Sequence, residues 1–156
     1  MVLMTDLFNK VERSKVMSRI SSRGNLSTEI AFLRLLRKHH ISGWRRHLLL
    51  VLKTAPSAAR TDGRRLRVRP DFVFKSIRLV VFVDGCFWHG CPRHGEKPTA
   101  NAVFWRTKLN ENQRRDRHVT RALRRQNWRV LRIWEHQLLD GERIMVRVVK
   151  LCGRPV

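Results

Sequence analysis

Within twelve residues, Val83-Asp84-Gly85-Cys86-Phe87-Trp88-His89-Gly90-Cys91-Pro92-Arg93-His94, the chain places two thiols, two imidazoles, a carboxylate and two large aromatic rings. An apolar run, residues 79–83, leads directly into this stretch. That order points to a site at the C-terminal end of a buried strand, held in part by a metal. Cys86, Cys91 and His94 offer three ligands from one loop, and His136 offers a fourth from beyond a later strand. Two thiolates and two imidazoles with no open position suit a structural zinc ion. Cys152 is a rival fourth ligand, and a pair of unligated core thiols is the plainer alternative.

Acidic residues are scarce, 12 Asp plus Glu against 34 Lys plus Arg, so the place of each is informative. Asp71, in Arg69-Pro70-Asp71-Phe72-Val73-Phe74, opens one expected strand, and Asp84 closes its neighbour. Glu29, on a preceding helix, is a third acid. Two or three carboxylates around a divalent cation are what phosphodiester hydrolysis requires, because the cation neutralises the scissile phosphate and acidifies the attacking water. Magnesium suits such a set, since it takes oxygen ligands and keeps several waters. Asp71 has an ordinary alternative as a strand-start residue.

His89 lies between the cysteines at a spacing that leaves it outside the zinc set. A free imidazole beside a metal can take a proton from water near neutral pH; a ligand or a surface histidine is the bland reading. Phe87 and Trp88 are adjacent and are not expected to face one core together. A wedge that unstacks bases stands against simple core packing.

The formal net charge is +22, with a sequence pI near 11.8. Such an excess favours a polyanion, since each neutralised phosphate releases condensed counterions. No apolar run approaches a membrane span, and the first residues lack the apolar core of a signal peptide. Three cysteines, two of them in one loop, argue for a reducing compartment and against a disulfide framework. The expectation is a cytoplasmic, nucleoid-associated protein.

The 156 residues allow one domain with a real core. Residues 1–24 read as a basic arm. A helix opens at Ser27-Thr28-Glu29, with Ile30, Leu33 and Leu36 at helical spacing. Residues 44–52 read as one strand and 53–67 as an exposed insertion loop with Pro, Asp-Gly and several arginines. Strands are expected over 72–74, 79–83 and 128–134. Residues 96–102 read as loop, and helices are expected over 107–126 and 138–151. The order predicts an α/β fold, a mixed central sheet flanked by helices.

These segments together resemble the very short patch repair mismatch endonuclease family. The resemblance rests on Arg69-Pro70-Asp71-Phe72-Val73, on residues 81–92 with their Gly-Cys-Phe-Trp-His core, on Asn101, Phe104-Trp105, Lys108, Asn112 and Arg115-Asp116, and on residues 127–136. Arg13-Ser14-Lys15, Met17, Ile20 and Thr28-Glu29 match as well. It implies a PD-(D/E)xK, restriction-endonuclease-like fold with a structural zinc site. It also implies a magnesium-dependent nick at T:G mismatches left by deamination of 5-methylcytosine. Asp71 matches the metal-binding aspartate, Val83 a backbone-carbonyl contact to the same metal, His89 the catalytic histidine and Glu29 a nearby acid. Phe87 and Trp88 match intercalating aromatics, Met17 and Ile20 an arm entering from the other groove, and Asn112 and Asp116 a polar pair on the helix. Val68 stands where the family usually has glycine, and 53–67 is an insertion ahead of the catalytic strand.

The implied partner is double-stranded DNA carrying a T:G mismatch, with mismatch-repair proteins as further candidates, and a monomer is expected. Two other readings remain at this level: a restriction-like nuclease of the same superfamily, and a non-catalytic, zinc-stabilised nucleic-acid-binding module.

Overall fold

A computed structural model describes residues 25–53, 65–95, 99 and 101–153 of the chain. The expected arm with Met17 and Ile20, and most of the 53–67 insertion, lie outside the described residues. The order is α1 (Glu29–Lys38), β1 (Trp44–Arg46), β2 (Leu50–Lys53), β3 (Arg65–Val68), β4 (Phe72–Phe74), β5 (Leu79–Asp84), α2 (Ala102–Arg125), β6 (Arg129–Trp134), a 3-10 turn (Glu135–Leu139) and α3 (Gly141–Cys152).

The main sheet runs β1-β4-β5-β6, with β1, β4 and β5 antiparallel in succession and β6 parallel to β5. A parallel neighbour requires a crossover, and α2 supplies it. The continuous apolar run of β5 fits a strand covered on both faces: Leu79, Val80, Val81 and Val83 are all buried. Alternate residues face opposite sides. Phe72, Phe74, Leu79, Val81, Leu131 and Ile133 pack against α1 and α3 through Phe32, Leu36, Ile144, Met145 and Val148. Val73 and Val80 face the other way, toward Ala122 and Leu123 of α2 and toward Leu52 and Val68. The mixed α/β architecture fits a nuclease fold.

Three boundaries differ from the sequence expectation. Residues 44–52 form two strands, because His47 (φ +51°) turns the chain out of the main sheet. Arg65–Val68, expected as loop, is a strand that pairs with β2 in a separate ribbon. Its alternation buries Val68 and exposes Arg65 and Arg67, a period that the run of arginines hid. Helix α2 begins at Ala102 and not at Thr107; its N-cap, Asn101, is left-handed (φ +55°), and Trp105 in its first turns is buried.

Among the described residues, no helix is long and apolar enough to cross a membrane.

Candidate active site and metal centre

The two strand ends that sequence reasoning brought together do meet. Asp71, just before β4, accepts a hydrogen bond at Oδ2 from the backbone N–H of Val83, 2.7 Å away. Antiparallel pairing of β4 with β5, Phe72 opposite Val81, makes this contact possible. Burial pushes the Asp71 carboxyl up to about 7; the Val83 bond opposes the rise, and the charges of Glu29 and Asp84 add to it. Glu29, buried on α1, pairs with Arg46 (2.7 Å) and His47 (3.0 Å) on its Oε2. Glu29, His47 and Asp71 each offer a ligand atom, all within 4.8 Å of one another. Among the described residues Asp71 has no basic ion-pair partner. A cation would therefore meet a carboxylate that its surroundings otherwise leave only partly ionised near neutral pH. His47 was not singled out in the sequence, because only the turn after β1 brings it there.

One residue beyond Val83, the second cluster begins. Asp84 is buried and forms a two-point ion pair with Arg132 of β6, Oδ1 to Nη2 and Oδ2 to Nε, both 2.6 Å. His89 Nδ1 lies 2.6 Å from Asp116 Oδ2 and 3.7 Å from Asp84 Oδ1. Burial pushes Asp116 up, but the His89 bond and the charges of Arg132 and Arg115 outweigh it and hold Asp116 below the ordinary carboxylate range. Asp116 was noted in the sequence as half of a polar pair with Asn112; its contact with His89 was not foreseen. Arg132 gave no signal beyond being a basic residue inside an apolar strand.

Residues 86–90 form tight turns and not a strand, and α2 grips them from one face. Asn112 Nδ2 donates to the Trp88 carbonyl (2.9 Å) and Gln113 Nε2 to that of His89 (3.4 Å). Gly90 has φ +63°, a left-handed turn conformation that glycine adopts without strain. Phe87 and Trp88 do share one partner, contrary to expectation. Both are half-buried against Trp105, with ring centroids 5.2 and 6.1 Å away, and 5.0 Å from each other. The tight turn lets both rings reach Trp105. Phe104 extends the cluster outward and is 45% exposed.

Cys86, Cys91, His94 and His136 converge, with ligand atoms within 4.8 Å of one another. His136 Nδ1 is 3.2 Å from the Cys86 sulfur and 3.6 Å from that of Cys91. Burial pushes the Cys86 thiol up, with the neighbouring Cys91 adding to the rise against the His136 contact. Burial and the charges of His94 and Arg93 push His136 down, which favours the neutral imidazole that binds metals. Cys152, at the end of α3, packs beside the core and is outside this group. The donor set and its spread fit a tetrahedral zinc.

A family model described as DNA mismatch endonuclease Vsr matches residues 46–94. The DNA mismatch endonuclease Vsr of Escherichia coli (strain K12) is 33% identical over 142 residues, 90% of this chain and 80% of that protein. The chain belongs to the Vsr family of DNA mismatch endonucleases. It is thus a DNA endonuclease, as the sequence resemblance implied. The type II nicking enzyme V.XorIIP of Xanthomonas oryzae pv. oryzae is 35% identical over 139 residues, 88% of this chain and 89% of its own. The match to V.NaeI, a type II nicking enzyme of Lentzea aerocolonigenes, is 51% identical over 78 residues and spans about half of each protein, 50% and 47%. The Vsr-model match runs from the end of β1 through the first three candidate zinc ligands, so it includes Asp71, Val83 and His89.

Proposed function

We propose that this chain nicks one strand of duplex DNA at T:G mismatches, the lesion left when 5-methylcytosine is deaminated, and so begins a short-patch repair. The observation that carries the reading is the junction at the end of β5. Val83 holds Asp71 by its N–H, and the next residue, Asp84, adjoins His89. A cation-binding carboxylate and an oriented imidazole thus flank the same strand end. The names of the Vsr relative and the nicking relatives support strand scission over a binding-only module.

Asp71, with Glu29 near it and, as the family resemblance implies, the backbone carbonyl of Val83, would hold a divalent cation, magnesium by its oxygen ligands. That ion supplies charge neutralisation at the scissile phosphate and a more acidic water. His89, with Nδ1 turned to Asp116, presents Nε2 to accept the water's proton. Cys86, Cys91, His94 and His136 would hold zinc, with no position open for chemistry, so zinc would shape the loop that carries His89. Phe87 and Trp88, half-buried against Trp105, form the aromatic surface proposed to enter the base stack; Met17 and Ile20 are proposed to act from the other groove. The excess positive charge supplies affinity for the backbone. The chain is proposed to act as a monomer in the cytoplasm, with mismatch-repair proteins as candidate partners.

The test is a duplex with one T:G pair beside its T:A control, with magnesium or with EDTA. Nicking of the T:G strand in magnesium alone supports the proposal. Equal cutting of both duplexes would favour a restriction-like nuclease, and no cutting with firm binding would leave a binding module.

A further inference from the structure

Asp116 divides its two oxygens. Oδ2 meets His89 Nδ1 at 2.6 Å, and Oδ1 meets Arg132 Nη2 at 3.2 Å. The same Nη2 and the adjacent Nε of Arg132 take both oxygens of Asp84. The guanidinium lies 4.8 Å from the Phe82 ring centroid, so it is held from a third side. Two carboxylates therefore approach His89, and a single arginine sits between them. A planar fork of this kind fixes direction as well as charge. Without it, Asp84 and Asp116 would face each other as like charges, and both would compete for the His89 ring. A whole buried ion pair can often be replaced by well-packed apolar groups without loss, although removing Arg132 alone would leave Asp84 buried and unpaired. Among the described residues, Arg132 Nη1 is moreover buried with no hydrogen-bond partner.

We propose that Arg132 is a positioning residue for DNA cleavage: by engaging both oxygens of Asp84 it reserves His89 for Asp116 and fixes the tautomer that leaves Nε2 free. Asp84, expected from the sequence among the catalytic acids, then serves through Arg132 and not as a cation ligand. The inference rests on the reading of His89 as the proton acceptor.

The test uses the full chain with Arg132→Met, Arg132→Lys and His89→Ala. Three quantities are read: single-turnover nicking at saturating T:G duplex, duplex affinity, and the His89 ring nitrogen chemical shifts, which report the tautomer. Arg132→Met should slow nicking by about 10–100-fold, the usual effect of losing a partner that orients a functional group. Affinity should change far less, and His89 should pass from one tautomer to a mixture. Arg132→Lys keeps the charge and loses the fork; it should fall between the two, and it carries the comparison if the methionine variant does not fold. A wild-type rate with an unchanged His89 spectrum in the lysine or methionine variant would overturn the proposal. Full nicking by His89→Ala would instead overturn the reading beneath it, and this proposal with it.

Discussion

His89 and Asp116 come from segments 27 residues apart and meet at 2.6 Å, with the imidazole Nδ1 facing a carboxylate oxygen. That pairing turns the opposite nitrogen, Nε2, away from Asp116. Asp116→Asn keeps the shape but offers an amide that can hold the wrong tautomer. Single-turnover nicking should fall by about 10²–10⁴-fold, the range of a lost general base, with duplex binding nearly unchanged. An Asp116→Asn protein that nicks normally would show that His89 needs no such partner.

Asp71→Asn should abolish nicking while leaving DNA binding largely intact. It should also change stability in a pH-dependent way. The Asp71 carboxyl is held near 7 in the metal-free fold against 3.8 in an unfolded chain. Between these values the folded state binds more protons, so metal-free stability falls as pH rises through the window, by about 1.4 kcal/mol per pH unit at most, and levels off above it. Asparagine does not titrate. Denaturant titrations should thus find the variant more stable than the native protein above neutral pH, with that advantage gone at the acid end of the window. Added magnesium should stabilise the native protein increasingly as pH rises toward 7 and should not stabilise the variant. A magnesium effect on Asp71→Asn equal to the native one would move the cation elsewhere.

Purified protein should contain one zinc per chain. Cys91→Ala and His136→Ala should each lose zinc and melt earlier, whereas Cys152→Ala should retain it. Elemental analysis with thermal melts decides this. Retention in His136→Ala with loss in Cys152→Ala would exchange the two fourth ligands.

The paired substitution Phe87→Ala, Trp88→Ala should reduce T:G nicking far more than binding to plain duplex. Unstacking a mismatched base costs less than unstacking a matched one, a difference of a few kcal/mol at most, and an aromatic wedge can exploit it. The two rings rest on Trp105, so circular dichroism and a melt should accompany the assay. A folded double variant with undiminished T:G preference would place discrimination elsewhere.

The central βαβ unit was legible because its signals are local: an unbroken apolar run for β5, a helical period for α2, an alternating strand for β6. The meeting of the two strand ends was legible for the same reason, since Asp71 and Asp84 bound adjacent strands, whereas Val83 came only from the family resemblance. The ribbon was not, because Arg65 and Arg67 hide a two-residue period behind the appearance of a charged loop. His47 and Arg132 were missed for a different reason. Each acquires meaning only from a distant carboxylate, Glu29 or Asp84, 18 and 48 residues away along the chain. Arg132 lies between Leu131 and Ile133 in the middle of β6, unlike Arg129 at its start, and that contrast was the available clue. Asp116 was visible as a helix-turn partner of Asn112, but its true partner lies across the fold.

The four sulfur and nitrogen donors also bear on the order in which the molecule assembles. Three of them follow β5, but His136 follows β6, fifty residues after Cys86. With the proposed zinc, a nascent chain that has made only the first three would hold the ion loosely and exchange it. The tetrad closes when β6 docks beside β5 and so completes the same strand pairing that sets Arg132 beside Asp84. Firm ion retention would thus mark the moment at which the strand-end cluster is complete, and a chain arrested before β6 would hold its ion only loosely and would not cut.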